Sequence, residues 1–295
     1  MRFGSVVLGS VACLVLAAPA GALPAPKVGV SANVERVQGT VLVKGRSGRF
    51  VPLSRSRHVL MGAVIDARRG RVRVIAASNA KGGKQSGVFY DGSFSISQRV
   101  ATRPVVDLTL RGGSFAGCRG ALARSAGSRT TVRRLWGSAR GRFRTRGRYG
   151  AATVRGTKWL TEDLCQGTFT SVSEGVVRAS FFGAIVTLYR GDGFITYCSA
   201  SGDFCTSVQS RAADQLLRIG GFPFRGSYRL CVTGPDAGSD CHTFSFRRGR
   251  FDIYSSDVSW RSNFPFRGSG DYTVHWELDP QTALGPDLFF AVPTT

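Results

Sequence analysis

The feature that most constrains this chain is the stretch from Phe143 to Arg190, where short blocks rich in Val, Thr, Phe and Trp alternate with Gly-containing breaks. A helix needs apolar residues sustained at a 3.6-residue period. Short β-branched and aromatic blocks cut by glycine instead predict a meander of short strands. The candidate strands are 152–154, 157–161, 168–173 and 176–180. Gly156 and the pair Glu174-Gly175 are the predicted turns, because glycine takes positive φ without a Cβ clash.

The same rhythm runs through the N-terminal part. Val41 and Val43, then 50–53, Val64-Ile65 and 72–75 are apolar runs separated by Gly45-Arg46 and Arg68-Arg69-Gly70. Val88-Phe89-Tyr90 and 94–96 flank Asp91-Gly92, which predicts a hairpin, since Asp-Gly suits a two-residue type I′ turn. Residues 105–110 predict another strand. Only 208–219 has fair helical spacing, at Val208, Ala212, Leu216 and Ile219, and it reads equally as a surface segment of a β-rich chain. The fold class expected is all-β.

Arg2, the apolar run 6–18 and the small-residue site Ala20-Gly21-Ala22 predict a secretory signal peptide over 1–22, followed by a loose lead-in over 23–32. No later run has the length of a membrane-spanning helix. Of the 7 cysteines, Cys13 lies in the signal. Cys118, Cys165, Cys198, Cys205, Cys231 and Cys241 form an even set, which in an exported chain predicts disulfides in one of many connectivities. Cys231 and Cys241 flank a Gly-Pro-Asp-Ala-Gly-Ser-Asp turn and could close a hairpin. Cys198 and Cys205 bracket a short loop, which leaves Cys118 and Cys165 to each other. A metal site would need closer ligand pairs or neighbouring His.

Lys and Arg number 40 against 18 Asp and Glu, a net charge of +22, and no acidic residue occurs between Asp107 and Glu162. An Arg- and Gly-rich excursion is expected over about 117–141. Between Arg129 and Arg148 lie Arg133, Arg134, Arg140, Arg142, Arg144 and Arg146, interleaved with Leu135, Trp136, Phe143 and Tyr149. From Gly141 to Gly150 Arg alternates with Phe or Thr, which puts several guanidinium groups on one face of a strand. This stretch reads either as a solvated surface or as an anion-binding face. Guanidinium groups fork onto phosphate and carboxylate, and a one-sided basic field attracts polyanions. Under the second reading Arg133, Arg134, Arg140, Arg142, Arg144, Arg146 and Arg148 carry the affinity, and replacing Arg142, Arg144, Arg146 and Arg148 together would weaken binding without disturbing the fold.

The segment 34–196 resembles a FecR-type domain, a β-rich extracytoplasmic module. Gly39-Thr40-Val41 opens it, and 60–66 with 71–75 resembles its Gly-x-x-Ile-x-Thr segment and following strand, with Asp66 in place of the Thr. Phe143-Arg144-Thr145, 153–157, 172–177 and 186–191 follow its closing half in order. The resemblance implies a FecR-like domain over 33–197 that presents a ligand or partner surface. The cytoplasmic tail and membrane helix of the family's regulatory members have no counterpart in the sequence, so sigma-factor signalling is not implied.

Beyond an expected connector at 198–221, Phe222-Pro223-Phe224-Arg225-Gly226-Ser227 recurs as Phe264-Pro265-Phe266-Arg267-Gly268-Ser269. Each copy leads into Tyr-x-aliphatic, so the expectation for 222–295 is two hairpin-like arms in one small immunoglobulin-like β-sandwich. Period-two alternation puts Tyr228, Leu230 and Val232 on one face, likewise Tyr272, Val274 and Trp276, with Cys231 equivalent to His275.

No nucleophile elbow, zinc-protease helix or phosphate loop occurs. His58, His242 and His275 stand without a catalytic constellation. Glu162 and Asp163 are adjacent in a strand and point to opposite faces. Asp91 and Asp192 neighbour glycines as turn formers. The sequence therefore predicts a non-enzymatic, cofactor-free binding or adaptor protein of the cell envelope, secreted or at the surface. Its partner would be an envelope protein or an anionic polymer, not a specific nucleic acid. Two alternatives stand beside it: a polyanion-binding surface protein using 129–148, and a secreted hydrolase with an unrecognised site.

Overall fold

The computed structural model describes residues 23–45, 48–118, 130–181, 184–199, 201–211, 214–221, 226–248, 254–278 and 282–294. The expected signal peptide, the first repeat copy over 222–225 and Arg129 lie outside the described residues. The protein is all-β, and among the described residues the named elements include one short helix.

Seventeen strands belong to one hydrogen-bonded sheet. Its first half is β1 (Ser31–Lys44), β2 (Val51–Pro52), β3 (Ser56–Leu60), β4 (Val64–Ala77), β5 (Lys84–Tyr90), β6 (Ser93–Gln98), β7 (Val106–Arg111), β8 (Thr131–Arg146) and β9 (Ala151–Leu164). The lead-in is held, not loose: the Asn33 side chain donates to the Pro24 carbonyl at 3.0 Å, and the Lys27 N–H donates to Ser31.

The Asp91-Gly92 hairpin does not form. β5 and β6 do not pair with each other; both run antiparallel to β4, Arg71 facing Tyr90 and Asp66 facing Ser93, so they are one long strand kinked at Asp91-Gly92. A type I′ turn needs positive φ at both central residues, and here only Asp91 has it, at 60°. Gly92 serves a close approach instead, since a Cβ there would collide with the Arg134 carbonyl.

On its other edge β5 pairs with β8, β6 pairs with β7, and β7 runs parallel to the end of β8. The sheet thereby closes on itself around a core with Phe89 at its centre. Phe89 lies 5.7 Å from Phe94, 5.4 Å from Phe143 and 6.1 Å, edge-on, from Trp159, all four fully buried. Gly137 leaves room for Trp159 and Phe89, which a Cβ would strike.

Residues 152–154 and 157–161, expected as two strands, are both within β9. Gly156 is not a turn; at φ 72° it sits opposite an extra residue in β8, where the register jumps between Ala139 and Arg142. That is a β-bulge. β10 (Thr168–Glu174) and β11 (Val177–Phe181) pair with successive parts of β9, followed by β12 (Ala184–Leu188) and β13 (Gly193–Cys198).

The segment 198–221 is neither helix nor surface segment. It holds β14 (Phe204–Ser210) and β15 (Gln215–Gly221), where Val208, Leu217 and Ile219 are at most 1% exposed. The edge of the sheet continues through β18 (Arg247–Arg248) and β19 (Tyr254–Ser259).

The second sheet has the order β17 (Ser239–Ser245), β16 (Ser227–Thr233), β20 (Gly270–Glu277), β21 (Leu288–Val292). The two repeat strands are antiparallel neighbours, with Cys231 facing His275 and Val232 facing Val274. The alternation is as expected: Tyr228, Leu230, Val232, Tyr272, Val274 and Trp276 are all at most 2% exposed. They form one apolar cluster with Val208, Leu217, Ile219 and Val258 of the large sheet, so the second core lies between two sheets, one of them built from β14, β15 and β19. Trp260 opens helix α1 (Trp260–Asn263) and packs edge-on to Tyr272 and Phe290 at 4.9 and 5.1 Å.

The disulfides are Cys118–Cys165, Cys198–Cys205 and Cys231–Cys241, the three pairs that spacing suggested. Three disulfides fit an oxidising, extracytoplasmic setting. They close loops of 47, 7 and 10 residues respectively. Because a longer loop confines the unfolded chain more, replacing Cys118 and Cys165 by Ser should cost about 4 kcal/mol in denaturant unfolding, against about 2 kcal/mol for Cys198 and Cys205. Equal losses would contradict this ordering.

Candidate functional site

The seven arginines singled out by the sequence do not share one surface role. β8 presents Leu135, Ala139, Phe143 and Thr145 to the core and turns Arg134, Arg140, Arg142, Arg144 and Arg146 outward, while Arg133, on the Leu135 side of the strand, is 21% exposed. Four of the seven then find carboxylates. Arg144 and Arg146 both donate to Asp107 on the adjacent β7, whose side chain is 8% exposed. Arg133 donates from Nε to the fully buried Asp163 at 2.7 Å; the Arg148 N–H and the Thr168 hydroxyl donate to the other oxygen of that carboxylate. Arg134 reaches Asp91 at 2.7 Å and Glu162 at 4.0 Å. The Arg148 guanidinium lies over the rings of Phe115, 4.4 Å, and Tyr149, 5.3 Å.

Burial alone would raise the Asp107 carboxyl, but the bonds from Arg144 and Arg146 outweigh it and hold the group below its ordinary range. These two arginines are part of the fold. Replacing them with Arg142 and Arg148 would therefore strip Asp107 of its partners, so the fourfold variant is no clean test of binding.

Arg140 and Arg142 remain. They flank Gly141, which holds φ 120° at the bulge, and the bulge sets Arg142 opposite Arg155 of β9. Lys84 at the start of β5 and Arg103 in the loop before β7 converge on the same place. Together with Ser78, Gln85 and Gly141 these residues line an open groove of about 690 Å³. The groove has five cationic side chains and no acidic one among its lining residues, and none of the five forms an ion pair among the described residues.

The groove floor is pinned by Gln85, 6% exposed. Its Nε2 donates to the Ala77 and Pro104 carbonyls at 3.0 and 3.2 Å, and its Oε1 accepts the Arg142 N–H at 2.8 Å. One side chain thus ties the end of β4, the Arg103 loop and the bulge together. Lys84, Arg103 and Arg155 were missed by sequence reasoning because they are remote in the chain; Arg155 alone had a signal, lying 13 residues past Arg142 across one tight turn.

The three histidines are apart from the groove. His58 bonds Asn33 at 2.8 Å, and His242 packs edge-on against Phe264. His275 bonds Asp287 at 2.6 Å, and that contact raises its pKa above the ordinary value.

Comparison with protein-family models, with curated proteins and with solved structures finds no match to this chain. The likeness of 34–196 to FecR-type domains rests on its sequence motifs alone.

Asp107→Asn should lower stability at pH 7 by about 2 kcal/mol, discounted because its two arginines are partly solvated. A carboxyl with a depressed folded pKa stabilises above its unfolded value and loses that contribution as pH falls through the folded one. The gap between variant and parent in urea unfolding should therefore close below about pH 4; a gap independent of pH would refute the assignment.

Proposed function

We propose that this protein is a secreted or cell-surface binding protein without catalytic activity, and that its FecR-like half takes an anionic ligand in the groove of Lys84, Arg103, Arg140, Arg142 and Arg155. One observation carries the reading: five cations converge on one open depression with no carboxylate to neutralise them, while neighbouring arginines on the same strand are paired. Like charges held together repel, and a bound anion relieves that cost. Guanidinium groups spread over two strands and a loop suit a ligand with several anionic groups better than a single ion. The disulfides and the signal-like N-terminus support a place outside the cytoplasm, where acidic polymers are available partners. Among the described residues no helix is long and apolar enough to cross a membrane.

The test is a salt titration of binding to long-chain inorganic polyphosphate, with the triple variant Arg140→Gln, Arg142→Gln, Arg155→Gln. These side chains have no internal carboxylate partner, so the variant should melt like the parent. Its affinity should fall at least about tenfold, and the slope of log K against log salt should shrink by about 2. Arg247→Gln, an exposed arginine on β18 at the edge of the sheet six strands from β9, should change neither. Unaltered affinity and slope in the triple variant would overturn the proposal.

A further inference from the structure

The groove opens at one end of a continuous outward face formed by β4, β5, β8 and β9. Side chains alternate strictly there: Lys84, Ser86, Val88 and Tyr90 of β5 point out, while Gln85 and Phe89 point in. Strand register fixes the rows across this face. One row runs Arg71, Tyr90, Trp136, Leu160. The next runs Arg73, Val88, Ser138, Lys158 and is bounded by carboxylates, with Glu35 of β1 paired to Arg73 at 3.3 Å and Glu174 of β10 opposite Lys158. Directly opposed residues in such rows are near enough for their side chains to touch.

The first row is a stack. The Arg71 guanidinium lies 4.3 Å from the Tyr90 ring centre, and the Tyr90 and Trp136 rings are parallel within 5° at 6.2 Å. Large aromatics in a sheet are normally drawn into the core; here two of them sit half-buried on the outside, held by a cation. Beside them is a second depression, of about 260 Å³, lined by Gly39, Arg68, Arg69, Arg71, Tyr90 and Asp91. Arg68 is engaged by Asp66, and Asp91 by Arg134, so Arg69 and Arg71 supply its uncompensated charge. From Lys84 at the first depression to Tyr90 at the second is six residues of extended strand, roughly 20 Å.

We propose that the ligand of this face is an acidic polysaccharide lying along the strand direction, with carboxylates in the Arg140–Arg142–Arg155 groove and a sugar ring packed on the Tyr90–Trp136 pair. This rests on the anion-binding reading of the groove and goes further in naming the ligand class. A polymer of charged sugars has what the face complements: anionic groups repeated along an extended chain, and apolar C–H faces on its rings that pack against aromatic side chains. A polyphosphate offers only the first. A single-stranded nucleic acid would use aromatic platforms along its track, and here the aromatics stand at one end only.

The experiment uses the mature, disulfide-bonded protein with three probes: polygalacturonate, long-chain inorganic polyphosphate and poly(dT). Trp136→Leu keeps an apolar cover over the sheet but removes the ring, and Trp136→Phe restores a ring. With polygalacturonate, Trp136→Leu should lose about tenfold in affinity, equivalent to about 1.4 kcal/mol, and Trp136→Phe should recover most of it. With polyphosphate, both should stay within about twofold of the parent, while the groove variant loses both probes. Equal effects of Trp136→Leu on the two probes, no effect on either, or tighter binding of poly(dT) than of polygalacturonate would overturn the polysaccharide assignment. The groove reading fails separately, if Arg140→Gln, Arg142→Gln, Arg155→Gln leaves polyphosphate binding intact.

Discussion

The structure depends on closing one long sheet around Phe89. A sheet edge that runs on unpaired is a liability, and a flat sheet cannot bury Phe89, Phe94, Phe143 and Trp159 together. Closure is reached by bending two strands: β5–β6 at Asp91-Gly92 and β8 at the Gly141 bulge, beyond which β8 leaves β5 and joins β7 in parallel. Both bends use backbone that comes too close to a neighbour for a side chain. The bulge that closes the core is also what exposes Arg140 and Arg142 on one side of a groove. Fold and candidate site therefore share a cause, and Gln85, bonded to both, is the point where they meet.

The excess of positive charge is distributed unevenly. Asp107 and Asp163, both nearly or wholly buried, take up Arg144, Arg146 and Arg133. A buried carboxylate requires such partners, since leaving it unpaired costs far more than an exposed ion pair gains. Each arginine so engaged is lost to a ligand. The cations that remain are those for which β7 and β9 place no carboxylate within reach, and they collect where the bulge lets two strands and a loop converge.

The C-terminal part shows how a repeat can build a core that it does not complete. Its two copies pair side by side, Leu230 against Trp276 and Val232 against Val274, and present one apolar face. That face is covered by β14, β15 and β19, which belong to the large sheet. The region that sequence would assign to a connector is half of the second core, so the two parts of the chain share strands instead of a linker.

The sequence by itself determined the all-β class, the alternation that buries Tyr228, Leu230, Val232, Tyr272, Val274 and Trp276, the even set of six cysteines whose local spacing suggested the pairs without fixing them, and the outward row of arginines from Arg140 to Arg146 on β8. These are local properties: period, spacing and turn length are written in neighbouring residues. It could not say that Asp91-Gly92 is a kink and not a turn, that 208–219 is a pair of buried strands, or which arginines are paired. Each of those depends on a partner from elsewhere in the chain, such as Arg134 against Gly92, the repeat sheet against Leu217, or Asp107 beneath Arg144. Only the tertiary structure decided where charge is left uncompensated, because neutralisation depends on distance in space, and the groove draws its five cations from four separate segments of the chain.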